Sequence, residues 1–408
     1  MSPDLECEVG FVGGGFRTTT FLASAWPVLA GRVDVFDAGD RLGAGAFADY
    51  AVRSTSVGSR FLKDVRFEGP LSRLRGHPRV APVAAAQVPV GLRTVAAALD
   101  EVGASLLHGG GLRLHRRCRI TSVHMDDDRA GVRLRTADGA EFRCRHVVLA
   151  TGREERPHPD LAPWHAGVWT SGRVISASAR PALMRCLAEL GGRPVVIAGC
   201  SHSAMSALRV ILHVSADLRP VEGSGFRPLR VVVLRRGPTR LMYPTAEQAR
   251  AGQVPSREPI FDPRTDVCPE TGIVFRDSGL RHESRALFCA AWAGQVPGVR
   301  IVQADHLADA AALLCDAGLV VQALGYRGRI PHIVLNGELT RPAEAAGRLY
   351  GDDDGAVVLG GRRYTALSVL RAEPTPRRLR DNTAYGSRLY PRLAARLTRH
   401  LRDAGARR

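Results

Sequence analysis

The chain has 408 residues, 45% hydrophobic and 24% charged, with a formal charge of +17. That length supports two or three domains with ample core, and no apolar run reaches the roughly 18 residues a membrane-spanning helix needs. The charge does not point to nucleic acid: arginines are spread along the whole chain, and of 57 basic residues only Lys63 is a lysine. That skew matches GC-rich coding bias, and dispersed positive charge favours small anionic ligands instead.

The segment Met1 to Glu8 is short and acidic, unlike a signal peptide. Glu8 to Val12 then reads as an apolar strand running into Gly13, Gly14 and Gly15, with a helical pattern behind it at Phe21, Leu22, Ala25 and Leu29. Arg32 to Asp37 is a second strand that ends on an acid about 20 residues after the glycines. This is the start of a dinucleotide-binding βαβ unit. Gly13 makes the tight turn, Gly14 and Gly15 admit a pyrophosphate to the helix N-terminus, and Asp37 takes ribose hydroxyls. Thr18 stands in the third glycine position. The alternative is a Gly-rich turn in another α/β fold. Strand, glycines, helix and acid in register favour the nucleotide.

Residues 41–64 are loop-rich and are expected over the cofactor. A short helix is predicted at 92–99, with strands at 111–115 and 120–124. Gly131 to Arg135 and Glu141 to Cys144 flank Ala137-Asp138-Gly139, a hairpin signal. His146 to Gly152 (HVVLATG) is a buried strand ending in small residues, where Thr151 and Gly152 let the backbone approach a ligand.

A second nucleotide unit begins with the strand Pro194 to Gly199 and the turn Cys200-Ser201-His202-Ser203-Ala204, and continues as a helix from Met205 to Val214. Gly199, Ser201 and Ser203 are its ligand-facing candidates. His202 is expected to hydrogen-bond locally. The next strand, Pro228 to Leu234, ends in Arg235 and Arg236, which suit the 2′-phosphate of NADPH. A solvated arginine pair is the competing reading.

Residues 237–275 are rich in turn formers, and a loop of that length suits a lid or substrate wall. A helix follows at 281–294 and a strand at 299–302. The segment 316–327 reads as a strand ending in Gly325 and Tyr326, expected to return the chain to the first domain. A strand pair at 355–370 and a basic amphipathic helix at 389–401 complete the chain. The expectation is an α/β protein with two Rossmann-like domains. Residues 1–180 form the first part of one, 181–315 the inserted second with the 237–275 lid, and 316–408 the return. Eight scattered cysteines without a CxxC pair argue for reduced thiols in a cytoplasm and against a zinc or dithiol centre.

Two such units, the second inserted between VVLATG and VVQALGYR, resemble the two-dinucleotide-binding flavoproteins. Within them the chain is most similar to the flavin-dependent N-hydroxylating monooxygenases, relatives of ornithine and lysine N-hydroxylases. Ser59 to Val65 (SRFLKDV) resembles that family's S-F-L-K-D-L stretch. Ser201 to Ala204 resembles its G-x-S-A turn, and Ala323 to Tyr326 its A-T-G-Y. The family's glutamine near the flavin is Gly58 here, its first fingerprint is altered at Phe16 to Thr19, and Leu324 replaces a threonine.

The resemblance implies FAD in the first domain, with Thr151 and Gly152 close to it, and NADPH in the second. It implies hydride transfer to FAD, O2 as co-substrate, and oxygen transfer to a neutral amine of a small molecule. It also implies that Lys63 anchors the substrate's anionic group. An FAD-dependent dehydrogenase or oxidase is the first alternative. A basic nucleic-acid or scaffold protein is the second, and dispersed charge argues against it. No nucleic-acid or membrane partner is expected. A homo-oligomer is compatible with the sequence.

Overall fold

The computed structural model describes residues 6–26, 28–29, 31–109, 111–125, 131–164, 167–218, 229–252, 261–269, 271–276, 278–340, 349–370 and 382–405. The chain divides into two compact units, one of Met1–Ala48, Ser56–Glu154 and Arg327–Arg408, the other of Asp49–Thr55 and Glu155–Tyr326.

In the first unit four parallel strands run side by side in the order Arg113–His115, Val33–Phe36, Glu6–Val12, Glu141–Leu149. Val9, Phe11, Val35, Val147 and Val148 are fully buried, as expected where helices and sheet cover both faces of a parallel strand. The sheet continues antiparallel through Val132–Thr136 and Ile120–Met125, and the predicted hairpin turns at Gly139. Arg362–Val369 joins the end of the Glu141–Leu149 strand in parallel and pairs antiparallel with Ala356–Leu359.

Helix Phe16–Ala25 buries Phe21 and Leu22 on this sheet. The helix expected at 92–99 extends over Leu92–Gly109, because the apolar spacing of Val95, Leu99, Val102 and Leu106 continues past Gly103. Gly103 interrupts nothing: it marks where the helix lies directly against the Leu42 backbone. The C-terminal helix Asn382–Gly405 buries Leu389, Leu393, Leu397 and Leu401, four residues apart, in the same core.

The second unit is a parallel sheet in the order Val168–Thr170, Leu319–Gln322, Val195–Ala198, Val231–Arg235, Val299–Gln303. Here the expected division is corrected. The strand of segment 316–327 still belongs to the second unit, where it pairs with Val195–Ala198 and Val168–Thr170 in the sheet, and the chain re-enters the first unit only at Arg327. The boundaries accordingly fall at 154/155 and 326/327 rather than at 180 and 315.

Of the expected lid, residues 253–260 and 270 lie outside the described residues, as does Pro228 of the preceding strand. The described part contains helix Ala246–Ala251 and joins the core through Tyr243, Val274 and Phe275. Tyr243 and Val274 also pair through an isolated antiparallel bridge.

Candidate functional site

The first glycine turn stands at the carboxyl end of Glu6–Val12. Gly13 has φ +103°, and a Cβ there would lie 2.5 Å from the Ala150 carbonyl oxygen, so only glycine fits. Its N–H donates to Phe36 O (2.8 Å), and the Ala150 N–H donates to Val12 O (2.8 Å). Three strand ends are thereby fastened together. Thr18, fully buried, donates its hydroxyl to Gly13 O at 2.5 Å, which accounts for a hydroxyl residue in the third glycine position.

Gly15 caps helix Phe16–Ala25 without a side-chain bond. A Cβ on it would meet nothing nearer than Gly45 Cα at 3.7 Å. A Cβ on Gly45 would in turn come within 3.2 Å of Gly15 Cα, so two glycine backbones pass closely at a helix N-terminus, whose free N–H groups no side chain covers, the geometry that accepts a pyrophosphate. Asp37 accepts the Gly14 N–H (2.5 Å) and the Gly39 N–H (2.7 Å), one on each carboxylate oxygen. Each oxygen keeps a further lone pair for a ribose hydroxyl. Thr151 is half-buried and Gly152 exposed where the Glu141–Leu149 strand exits. The residues present fit an FAD.

Sequence reasoning missed the apolar wall of this turn. Phe16, Phe47 and Phe61 form a cluster with ring centroids 5.6 to 6.0 Å apart. Phe61 belongs to the short helix Ser59–Leu62, and Lys63 is its exposed C-cap. The structure thus puts Lys63 two residues from a ring that packs on the glycine turn. Gly58 stands where the family has glutamine because a Cβ there would lie 2.9 Å from Ala86 Cβ and 3.0 Å from Val83 O.

The second unit repeats the device. Gly199 has φ +116°, and its Cβ would lie 2.5 Å from Ala323 O. Its N–H donates to Leu234 O (3.0 Å), and the Ala323 N–H donates to Ala198 O (2.7 Å). VVLATG and VVQALG are thus structural counterparts, each closing its own glycine turn. Ser201 is the exposed N-cap of helix His202–Asp217 and makes no side-chain cap bond. His202 donates Nε2–H to Gly279 O at 3.1 Å, and burial pushes its pKa down to about 4, helped by the nearby Arg281.

Arg235 and Arg236 diverge. The Arg235 guanidinium lies 4.3 Å over the Trp292 ring and donates to Gln303 Oε1 at 3.1 Å, whereas Arg236 is exposed. Trp292 follows Arg235 by too many residues for any sequence pattern to pair them.

A polar group at the carboxyl end of this sheet was also missed. Glu155 accepts the Ser171 hydroxyl (2.7 Å) and the Gly172 N–H (2.6 Å), and Tyr326 Oη lies 3.4 Å from Ser171 Oγ. Burial raises the Glu155 pKa against those two hydrogen bonds. Burial, reinforced by Glu155, raises Tyr326 to about 12. The Ser171 and Ser203 side chains offset part of that rise. Gly325, with φ +107°, is exposed, and a Cβ on it would meet nothing within 4 Å. Open backbone and an uncharged phenol at the strand ends fit the place where α/β sheets bind ligands.

The family described as flavin containing amine oxidoreductase matches residues 1–172. The CMP-5′-(3-aminopropyl)phosphonate hydroxylase of Streptomyces rubellomurinus is 30% identical over 375 residues, 82% of this chain and 81% of that protein. The FAD-bound cadaverine monooxygenase of Erwinia amylovora superposes with a TM-score of 0.61 at 14% identity, covering 96% of this chain and 95% of its own. The ornithine N-hydroxylase of Kutzneria sp. 744, with reduced FAD, NADP+ and L-ornithine, gives 0.59 at 16% identity, covering 97% and 99%.

Proposed function

The chain belongs to the two-dinucleotide-binding flavoproteins, as an FAD- and NADPH-dependent monooxygenase, and on that premise we propose that it N-hydroxylates an amine on a small anionic substrate. The observation that carries this reading is the likeness, along most of the chain, to a hydroxylase whose name describes an aminopropyl group on a phosphonate. The net reaction is amine + O2 + NADPH + H+ → hydroxylamine + NADP+ + H2O. Bound FAD would supply the chemistry, accepting hydride from NADPH and activating O2.

The chain's own residues hold and shield the reactants. In this reading Gly13, Gly14 and Gly15 face the pyrophosphate of FAD and Asp37 its ribose, with Thr151 and Gly152 alongside. Gly199, Ser201 and Ser203 face the pyrophosphate of NADPH, Arg235 and Arg236 its 2′-phosphate, and Gly325 and Tyr326 the strand-end space beside it. Phe16, Phe47 and Phe61 keep water from the flavin side of the turn. Lys63 anchors an anionic group of the substrate. Among the described residues no helix is long and apolar enough to cross a membrane, and the reading places the enzyme in the cytoplasm.

The test is NADPH oxidation by the yellow holoprotein under labelled O2, with and without aminoalkylphosphonates and their CMP conjugates. Amine-dependent turnover with one labelled oxygen in the product supports the reading. Amine-independent turnover yielding only hydrogen peroxide would favour an oxidase instead.

A further inference from the structure

We propose that the second unit carries a subsite for a phosphate-type oxyanion, separate from its nucleotide turn. A pocket opens between segments 52–55, 206–209 and 281–284, all within this unit. Arg53, Arg209 and Arg281 line it, with Glu283 as the single carboxylate among the lining residues and Ser206 and Ser284 as hydroxyls. Glu283 is shared: Arg53 Nη1 lies 3.4 Å from one of its oxygens, and Arg209 pairs with the other. Two guanidiniums therefore share one carboxylate, and Arg281 lines the pocket beside them, an excess of cationic over anionic groups among the lining residues.

That excess is felt by the side chains themselves. Burial lowers the Arg209 pKa and the charge of Arg53 lowers it further. An oxyanion relieves such repulsion, and guanidiniums offer it paired N–H donors in matching geometry. The enclosed part of the pocket measures about 20 Å³. That is the scale of one water, so it admits ligand oxygens while the rest of the molecule stays in the mouth.

The position separates this pocket from the cofactor's own phosphates. His202, Ser206 and Arg209 share one face of helix His202–Asp217. Arg209 lies seven residues past the first, about 10 Å along the axis from the N-terminus where a pyrophosphate binds. The 2′-phosphate is expected elsewhere, beyond the Val231–Arg235 strand. The group that fits is the anionic end of a second ligand. The pocket depends on the proposed function only for the role of that ligand as substrate; the binding site itself does not.

The test uses the holoenzyme and three probes followed by calorimetry: inorganic phosphate, CMP and cytidine. Arg53→Gln and Arg209→Gln are compared with Arg300→Gln, an exposed arginine of the same unit, and flavin content checks folding. Expected are binding of phosphate and CMP but not cytidine, weakening of about tenfold or more in each pocket variant, and no change in Arg300→Gln. A parallel measurement of flavin reduction by NADPH and NADH identifies the source. Loss confined to CMP assigns the oxyanion to the substrate, whereas loss confined to NADPH makes it the cofactor's own phosphate and overturns the proposal of a second ligand. The proposal is overturned if none of the phosphate-bearing probes responds to either pocket variant, or if Arg300→Gln weakens them equally. Absence of amine hydroxylation would leave these binding results untouched, so the two readings fail separately.

Discussion

Replacing Gly15 with valine separates flavin binding from folding. Gly15 has φ −80° and ψ −169°, a conformation valine adopts readily. A Cβ there would rest in ordinary contact with Gly45 Cα at 3.7 Å, so the fold accepts the first carbon of the side chain. The intrinsic cost is that of a poor N-cap, roughly 1 kcal/mol. The methyl groups beyond it, however, cover the free N–H groups of the helix N-terminus, where a pyrophosphate must approach. Bound FAD stabilises by about 2.7 kcal/mol at a hundredfold excess over its dissociation constant, and this increment should vanish.

The assay is flavin absorbance per protein together with thermal unfolding with and without added FAD. The apo variant should unfold close to apo wild type and gain nothing from FAD. Gly13→Ala is the contrast. Its φ of +103° and the 2.5 Å approach to Ala150 O predict strain on the order of 3 kcal/mol or more, so it should fail at the level of the fold. A Gly15→Val protein that purifies with full flavin would refute the assignment of the cradle.

Lys63→Ala should still oxidise NADPH but send more of it to hydrogen peroxide and less to hydroxylated product, since small misplacement of a reactant can cost about a hundredfold in rate; unchanged coupling would make Lys63 an ordinary surface lysine. Lys63→Arg should also be impaired, because a planar fork does not replace a point charge. Arg236→Gln should raise KM for NADPH far more than for NADH, and Arg235→Gln should do so less, because its guanidinium is already committed to Trp292 and Gln303; equal effects on both cofactors would remove the 2′-phosphate role. Stability should fall below pH 6.5. His146 is fully buried, bonded to Ser368 at 2.7 Å and faced by Arg396 and His400, and burial followed by those charges holds its pKa well below the ordinary value. The unfolded chain takes up that proton and the folded one does not, so stability present above pH 6.5 is lost as pH falls, by about 1.4 kcal/mol per unit. Denaturant midpoints between pH 7 and 5 should fall less steeply in His146→Gln, and identical slopes would exclude His146 as the source.

What the sequence determined by itself is local in origin. The strand, glycine turn, helix and second strand of residues 6–37 were legible because burial on both faces forces a continuous apolar run and the turn tolerates only glycine at residue 13. The same logic exposed the second turn at Gly199, the hairpin at Gly139 and the four-residue leucine spacing of the C-terminal helix. Tertiary structure alone decided what depends on distant segments meeting. Leu319–Gln322 read as a returning strand because an apolar run does not name its partner; pairing with Val195–Ala198 puts it inside the second sheet. The helix expected at 92–99 runs on through Gly103, which the close approach of the Leu42 backbone requires. Glu155, Ser171 and Tyr326 converge from three segments, and Arg53, Arg209 and Glu283 do likewise. Apart from Tyr326, each of those side chains is unremarked in its own stretch of chain, and its charge or hydroxyl acquires a role only where burial and a neighbour from elsewhere in the sequence change its surroundings.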